Sequence, residues 1–476
     1  MSHSDSTGIG LDWLISPEEL SADPTAGLKW VTLGYTVVPE WVVKPTPKYI
    51  VAAIKAQVHS VRETYIEVDP KPLPGGNNCK VYDVRINGKK FVIRVMLPNT
   101  WYPGYKIETE VATMRYARQT TELRPPIILG YQSTRFNPLG YEWLLMSKIP
   151  GRPLSQVWSS LSYEKKERLV ERLASCMAKA INNQMNGYDP RKMTIGSLYD
   201  PSTCSKLPNF PAGVLNTMRY HIIDSVSDSS HFNPLLSRPF STPLGWGNAR
   251  IAEQKLYVSR ASQFPVATQS EKDKAGWQQM LSNIKELRQM SHKFLKSTDQ
   301  RTILWHNCLS KDNIFVDEDG NFTGTVDWQD QPLTPLYDVC QFPAFLQQSY
   351  DRVEAIQWER YATSSQGRFH PLAFHDHDRY ELTGLRRLFI IAMQGECPLF
   401  IRTITSDSSR KAREFDTAVA NCTLDFKADK ISDWIQAKKE GRLTNRLYED
   451  FMETRVFVWH TEEKEQPWIP DRGFYS

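Results

Sequence analysis

Long hydrophobic runs are missing from this chain of 476 residues. Its longest strongly apolar run is LFIIAM, residues 388–393. A membrane-spanning helix needs about 20 such residues. The N-terminal residues also show no basic segment followed by an apolar stretch, which is the mark of a secretory signal. We therefore expect no membrane partner and no secretory targeting.

A surplus of either charge is missing too. The chain has 58 Lys and Arg residues against 54 Asp and Glu residues, which gives a formal net charge of +4. Proteins that bind nucleic acids usually concentrate their basic residues on one face or stripe, and the sequence shows no such stripe. We expect no nucleic-acid partner. A phosphorylated small molecule needs only a few local cations, so the charge balance leaves it open.

Cysteine is scarce and follows no spacing rule. The chain has 7 cysteines, and no two of them form a Cys-x-x-Cys pair. A disulfide framework and a cysteine-based zinc site are therefore disfavoured. We expect reduced thiols and a cytoplasmic protein. One of the seven, Cys308, becomes important below.

Enough apolar residues are present for two lobes. Hydrophobic residues make up 40% of the chain and aromatic residues 11%, which can fill a large core. Shifts in composition predict four segments. They are an N-terminal extension (1–45), a small lobe built on a sheet (46–148), a mainly helical lobe (149–440) and a C-terminal tail (441–476).

The segment 46–148 alternates short apolar runs with turn residues. Asn87-Gly88 separates two such runs and predicts a tight hairpin. Apolar residues at helical spacing predict one inserted helix in the same segment. We expect strands over 80–84, 91–96, 127–131 and 143–146 and a helix over 106–116.

Beyond the break at residues 150–153, helical spacing dominates. Apolar residues recur at every fourth position in two stretches, 164–181 and 272–295, and predict long amphipathic helices. Between them, residues 184–268 are rich in Pro, Ser and Asn. We expect irregular loops and short helices there.

The stretch 302–345 carries the chemistry. Two short apolar runs, 314–316 and 322–326, flank the turn sequence DEDG and predict a hairpin. Asn313 precedes the first strand and Asp327 follows the second, so their side chains can face one point. Amide and carboxylate oxygens suit Mg²⁺, which takes a few protein oxygens together with phosphate and water.

This stretch resembles the aminoglycoside phosphotransferase and choline kinase-like families, in a branch common in fungi. Their pattern is His-x-Asp-x-x-x-x-Asn, a hairpin, and Ile-Asp-Trp or a relative of it. Here it reads His306-x-Cys308-x-x-x-x-Asn313 and then Val326-Asp327-Trp328. The resemblance implies an α+β, protein-kinase-like two-lobed fold, with a small antiparallel sheet in the N-lobe and a mainly helical C-lobe. It also implies ATP and Mg²⁺ in the cleft and a small-molecule hydroxyl or amine as acceptor.

The resemblance extends over residues 46–440. Arg94 stands where these families normally have a lysine on the third strand, and Glu110 stands where its ion-pair partner belongs. A Gly-Gly-Asn-Asn run resembles their nucleotide-covering loop, and the interlobe segment begins at Met146. The resemblance thus implies metal ligands at Asn313 and Asp327. It implies nucleotide-binding roles for Gly75, Gly76, Asn77, Asn78, Arg94, Glu110 and Met146.

Cys308 departs from the family pattern. Its position belongs to the aspartate that accepts the proton of the acceptor hydroxyl. A thiol has an ordinary pKa of about 8.5, so it is mostly neutral at pH 7 and a weak hydrogen-bond partner. General-base help is worth roughly 10² to 10⁴ in rate, whereas phosphoryl transfer depends mainly on positioning and charge stabilisation. His306 is expected to be structural, and Asp312, four positions beyond Cys308, is a weak substitute base.

Three functions therefore stay open. The chain can be a slow phosphotransferase, a pseudokinase-like protein that binds a nucleotide or another ligand, or a biosynthetic enzyme that uses the cleft for non-phosphoryl chemistry. In the last case Cys308 would be a thiol nucleophile near His306, which requires surroundings that favour the thiolate. A separate group of histidines, at positions 370, 375 and 377, is expected to lie in an exposed loop without a metal.

Overall fold

The smaller lobe is built on β-strands. In the computed structural model the described residues are 29–33, 36–40, 45–74, 79–96, 105–188, 194–200, 239–261, 271–296, 298–347, 352–357, 371–424 and 427–442. The first strands are β1 (Lys29–Leu33), β2 (Thr36–Glu40), β3 (Ile66–Val68), β4 (Cys79–Ile86), β5 (Lys89–Met96), β6 (Ile128–Gln132) and β7 (Trp143–Ser147). β1 pairs with β2 alone, and the other five form one antiparallel sheet in the order β3-β4-β5-β7-β6.

The β4–β5 hairpin sets the register of this sheet. Asn87 and Gly88 both have positive φ, 49° and 76°, which a two-residue hairpin turn of the primed type requires. The turn fixes Ile86 opposite Lys89, and the register carries Val81 to a position opposite Arg94. The predicted turn is thus confirmed, and it decides where Arg94 lies along the sheet.

Two helices flank the sheet. Helix α1 (Pro47–Gln57) begins at a proline, which suits a first helical turn, and buries Ile50 and Ile54 against the sheet. Helix α2 (Tyr105–Thr120) buries Ile107, Val111 and Met114 in a core that continues into the other lobe. Because this core also contains Leu144 and Met146 of the sheet, α2 links the position of the sheet to that of the helical lobe.

The larger lobe is mainly helical. Its helices are α3 (Tyr163–Met185), α4 (Pro243–Ala261), α5 (Glu271–Leu295), α6 (Leu336–Val339), α7 (Pro371–Glu396), α8 (Pro398–Thr405), α9 (Asp407–Asn421) and α10 (Ala428–Lys439). Its short strands are β8 (Arg152–Pro153), β9 (Thr302–Leu304), β10 (Ile314–Val316), β11 (Phe322–Thr325) and β12 (Leu333–Pro335). α3 packs on α7, and α5 packs on α4, α9 and α10. The predicted α+β, two-lobed class is confirmed.

Two expectations from sequence are corrected. The stretch 184–268 contains α4, a helix of 19 residues, which is longer than the short helices predicted there. Ile251 and Val258 of α4 are buried against α5, so packing outweighs the local abundance of polar residues. His375 and His377 lie on α7 and not in a loop; His370 is outside the described residues.

No helix in the described parts of the chain combines the length and the apolar character needed to cross a membrane. Residues 1–28 and 443–476, which hold most of the predicted extension and tail, lie outside the described residues. The predicted segment boundaries therefore stay predictions.

A close backbone approach lies where the two lobes join. β8 follows directly on Gly151 and pairs with β10, with Pro153 opposite Phe315. Gly151 has a φ of +91°, and a Cβ atom there would lie 2.0 Å from the carbonyl oxygen of Val316. Only glycine fits this position, because any side chain would collide with backbone that cannot rotate away.

Replacing Gly151 by alanine tests this contact, and Gly88→Ala is the matched control. Gly88 also has a positive φ, but no atom lies within 4 Å of the place of its Cβ. Gly88→Ala should lower the free energy of unfolding by about 1 kcal/mol, the conformational cost alone. Gly151→Ala adds the collision and should lower it by roughly 3 kcal/mol or more. Urea unfolding measures both, and equal losses would show that the close approach is absent.

Candidate functional site

The loop between β9 and β10 holds Cys308 at the surface. The Cys308 carbonyl accepts hydrogen bonds from the Ser310 backbone nitrogen at 2.7 Å and from Asn313 Nδ2 at 2.9 Å. The next residue, Leu309, is buried and packs in the main core. The Cys308 side chain is exposed. The loop backbone is thus fixed from inside while the thiol faces outward.

Asn313 and Asp327 lie at the same end of the β10–β11 hairpin. Ile314 pairs with Thr325, and the Val326 backbone nitrogen donates to the Asn313 carbonyl at 3.0 Å. The hydrogen bond to Cys308 uses the amide nitrogen of Asn313 and not its side-chain oxygen. The structure therefore brings the two predicted metal ligands together.

Asp327 has an unusual backbone. Its φ is 65°, and Asp330 three residues later has a φ of 61°. Non-glycine residues seldom adopt this left-handed region, and Asp and Asn are the side chains that tolerate it best. Such conformations cluster at functional sites. The Asp327 side chain is exposed, so its carboxylate is accessible at the cleft.

His306 lies beneath this hairpin end. It is buried, its Nε2 is 2.8 Å from the Val326 carbonyl, and its ring meets Trp328 edge-on at 4.8 Å. Burial lowers the pKa of His306, although the Val326 hydrogen bond and the charge of Asp327 act in the opposite direction. A neutral ring then donates from Nε2 to the carbonyl that immediately precedes Asp327. This arrangement fits the structural role expected for His306.

Arg94 and Glu110 face the hairpin from the smaller lobe. Arg94 on β5 donates from Nη2 to Glu110 Oε2 on α2, and both side chains are buried, at 6% and 2% exposed. The pair joins the sheet to the helix, as the family resemblance implied for these two residues. In the described part of the chain, Arg94 Nε is buried without a hydrogen-bond partner.

The charges of this pair are coupled to the hairpin. Burial raises the pKa of Glu110 to about 7 against the attraction of Arg94, and the carboxylates of Asp327 and Asp330 raise it further. Burial lowers the pKa of Arg94, but Glu110, Cys79, Asp327 and Asp330 together outweigh this effect and the net direction is upward. The guanidinium stays charged. Asp327 thus acts electrostatically on both members of the pair.

Sequence reasoning missed two residues of this cleft, Lys106 and Cys79. Burial lowers the pKa of Lys106, with Asp330 acting against it and Arg94 reinforcing it. Burial also raises the pKa of Cys79, which Arg94 opposes. Lys106 precedes Glu110 by one helical turn, so this spacing could have placed it on the same face of α2. No comparable signal marked Cys79.

The remaining predicted residues are dispersed. Gly75, Gly76, Asn77 and Asn78 lie outside the described residues. Met146 is buried on β7, opposite Val92 and Ile128. Asp312 is exposed on the loop, where its charge acts on neighbouring Lys311.

Behind the loop lies a second group of charges, and it includes His377, one of the histidines that the sequence singled out. The Lys311 ammonium lies 4.6 Å from the centre of the Trp158 ring, and burial lowers its pKa to about 8. The ligand atoms of His377, Asp378 and Glu381 lie within 4.8 Å of one another. The Lys166 ammonium is 2.6 Å from Glu381, so a cation already neutralises this carboxylate.

A family model described as the phosphotransferase enzyme family matches residues 69–368, which is more than half of the chain. The matched region includes Arg94, Glu110, Cys308, Asn313 and Asp327.

Curated relatives match shorter stretches. A subtelomeric hrmA-associated cluster protein of Aspergillus fumigatus is 30% identical over 140 residues, 29% of this chain and 26% of the relative. An altered inheritance of mitochondria protein 9, mitochondrial, of Debaryomyces hansenii is 29% identical over 170 residues, 32% of this chain and 26% of the relative. The alignments thus span about a quarter of the length of these two relatives.

Among solved structures, similarity extends to a thermostable mutant of aminoglycoside phosphotransferase APH(4)-Ia in ternary complex with ADP and hygromycin B. The identity is 12% and the TM-score 0.40, and the alignment covers 88% of this chain and 100% of the other. 

The pH dependence of stability tests the environment of Glu110. Its pKa is about 7 in the folded protein against an ordinary value of 4.5, so the folded state holds this proton longer than the unfolded state does. The wild type should therefore lose stability as pH rises from 4.5 through 7. Glu110→Gln lacks this titration, so its free energy of unfolding relative to the wild type should increase by on the order of 1–3 kcal/mol between about pH 5 and pH 8.

Glu67→Gln is the control for this measurement. Glu67 lies in the same sheet, but its side chain is 50% exposed beside Arg85. Chemical unfolding across the pH range should give this variant a stability curve parallel to that of the wild type. A Glu110→Gln curve that is also parallel would contradict the shifted pKa.

Proposed function

Since the chain belongs to the phosphotransferase enzyme family, we propose that it binds ATP and Mg²⁺ between its lobes and transfers a phosphoryl group slowly to a small-molecule hydroxyl or amine. The observation that carries this proposal is the buried Arg94–Glu110 ion pair of the smaller lobe, together with Asn313 and Asp327 at one end of the β10–β11 hairpin. A cation and a pair of oxygen ligands are what a phosphate–metal complex requires.

Two oxygens of the hairpin fit a magnesium ion. The side-chain oxygen of Asn313 and the carboxylate of Asp327 would hold it, and phosphate and water oxygens would complete its shell. The hydrogen bond from Asn313 Nδ2 to Cys308 supports this orientation, because it turns the amide oxygen away from the loop. When bound, the ion would stabilise charge that develops on the transferred phosphoryl group.

The nucleotide would lie against the smaller lobe. Arg94, oriented by Glu110, would contact phosphate oxygens, and the glycines and asparagines of residues 75–78 would cover them. Met146 would lie on the nucleotide side at the start of the interlobe segment. We propose residues 46–148 and 149–440 as the two lobes, with 1–45 and 441–476 as flanking segments. The cytoplasmic location stays a prediction from the cysteine pattern.

Cys308 limits the rate in this proposal. A neutral thiol does not accept the acceptor's proton as a carboxylate does, so the chemical step would lose general-base help. His306 does not compensate, because its Nε2 is hydrogen-bonded to the Val326 carbonyl. The same bond argues against a thiol nucleophile activated by His306. A protein that binds nucleotide without transfer is the second candidate, favoured by Cys308 itself.

Ligand-induced stabilisation tests nucleotide binding. Mg-ATP at 100 times its Kd should raise the free energy of unfolding by about 2.7 kcal/mol. Asp327→Asn should lose most of the magnesium-dependent part of this effect, because it removes a ligand charge. Asp319→Asn at the other end of the same hairpin, where the carboxylate is 83% exposed, should behave as the wild type does. Thermal unfolding with ATP alone and with Mg-ATP measures the difference, and a wild type that neither ligand stabilises would refute the proposal.

Placing a carboxylate at position 308 tests the proposed phosphoryl transfer. Cys308→Asp should raise magnesium-dependent ATP hydrolysis by about 10² to 10⁴, the usual worth of a general base. Cys308→Asn has nearly the same shape without the basicity and should leave hydrolysis at the wild-type level. Release of ADP measures both variants. Hydrolysis that stays absent in Cys308→Asp, while Mg-ATP still stabilises it, would favour the binding protein over the phosphotransferase.

A further inference from the structure

Lys106 is a cation of the cleft whose charge is not neutralised by a close partner. It lies in the first turn of α2 and its side chain is half-buried. Glu110, one turn further along the same face, is bound by Arg94. Within the described ranges, no carboxylate oxygen approaches the Lys106 ammonium to ion-pair distance, 4.0 Å. Lys106 therefore differs from Arg94, which has its counter-ion in contact.

The surroundings of Lys106 disfavour an isolated positive charge. Burial removes part of its water shell, and the Arg94 guanidinium repels it; both effects lower the pKa of Lys106. Asp330 attracts it from beyond contact distance, and Asp330 Oδ2 already accepts a hydrogen bond from Gln329 Nε2 at 2.7 Å. An anion that enters between Lys106 and Arg94 would relieve this repulsion, because partly desolvated charges interact more strongly than exposed ones.

Arg94 alone is a weak phosphate ligand. Its Nη2 donates to Glu110 and the whole side chain is buried, so few of its donors can reach a ligand. A second cation on the same side of the cleft would supply the additional hydrogen-bond donors and positive charge that a phosphate group needs. Lys106 lies one helical turn before Glu110 on the same face of α2, and Glu110 binds Arg94, so Lys106 lies beside this ion pair.

We propose that Lys106 contacts the phosphate groups of the bound nucleotide together with Arg94, so that two cations share the anion-binding role on this wall. This inference rests on the proposed binding of ATP. It assigns the phosphate contact to a helix residue in addition to the strand residue. The competing role is structural, with Lys106 only tying α2 to Asp330 through their long-range attraction.

Phosphate-dependent affinity separates the two roles. Isothermal titration with Mg-ATP and with adenosine compares ligands that share a base but differ in phosphate. Lys106→Met should weaken Mg-ATP by about tenfold, a usual effect of one charge-assisted contact, and leave adenosine unchanged. Lys106→Arg should restore most of the Mg-ATP affinity. Without ligand, Lys106→Met should unfold no more easily than the wild type, because it removes a partly buried charge that lacks an ion pair.

Lys89→Met controls for the loss of one positive charge. Lys89 is exposed at the β4–β5 turn, so its variant should bind Mg-ATP as the wild type does. If Lys106→Met does not fold, Lys106→Gln, of similar length, replaces it in the same titrations.

Each of three other results would overturn the proposed phosphate contact of Lys106. Equal Mg-ATP affinity in Lys106→Met and the wild type would show that Lys106 makes no phosphate contact, while the proposed function would stand. Equal weakening of Mg-ATP and adenosine, together with a less stable unliganded protein, would assign the structural role. A wild type that binds no Mg-ATP would refute the proposed function itself, and the inference with it.

Discussion

The buried ion pair between Arg94 and Glu110 is the interaction on which the cleft depends. It connects a central strand of the sheet to α2, and α2 in turn packs into the core of the helical lobe. A buried pair is seldom a large net gain in stability, because both charges lose their hydration. The pair instead fixes geometry. Because either buried charge would be costly without the other, the strand and the helix keep one relative position. The segment after α2 also reaches the β10–β11 hairpin directly, since Thr325 Oγ1 donates to the Leu123 carbonyl at 2.8 Å and Arg124 Nη1 donates to the Phe322 carbonyl at 3.3 Å.

The hairpin side of the cleft is held by hydrogen bonds to backbone. His306 fixes the carbonyl before Asp327, and Asn313 fixes the carbonyl of Cys308. Neither bond involves the thiol, so the supporting frame of the loop does not depend on the residue at position 308. This separation allows Asn313 and Asp327 to keep their places with a thiol at position 308. In the proposed function, ligand binding and proton transfer would therefore depend on separate parts of the same loop.

Much of this arrangement was predictable from sequence, because local rules decide it. Helical spacing located α2 and the turn Asn87-Gly88 located the β4–β5 hairpin, and the order of motifs placed Arg94, Glu110, Asn313 and Asp327. The features that the sequence did not predict share a different cause. α4 depends on its burial against α5, and the roles of Lys106 and Cys79 depend on which charges lie opposite them across the cleft. Neighbouring residues of the chain do not show long-range packing or partial loss of water, although the spacing of Lys106 and Glu110 does place both on one face of α2.

The left-handed backbone at Asp327 and Asp330 also limits which residues selection can place there. Asp and Asn adopt positive φ far more readily than longer side chains do, so a glutamate at either position would be disfavoured before its carboxylate met any ligand. A change of ligand chemistry at this hairpin is therefore restricted to residues with one methylene. Within that set the choice reduces to a carboxylate or an amide. The backbone conformation therefore restricts which side chains variants of this hairpin can carry at positions 327 and 330.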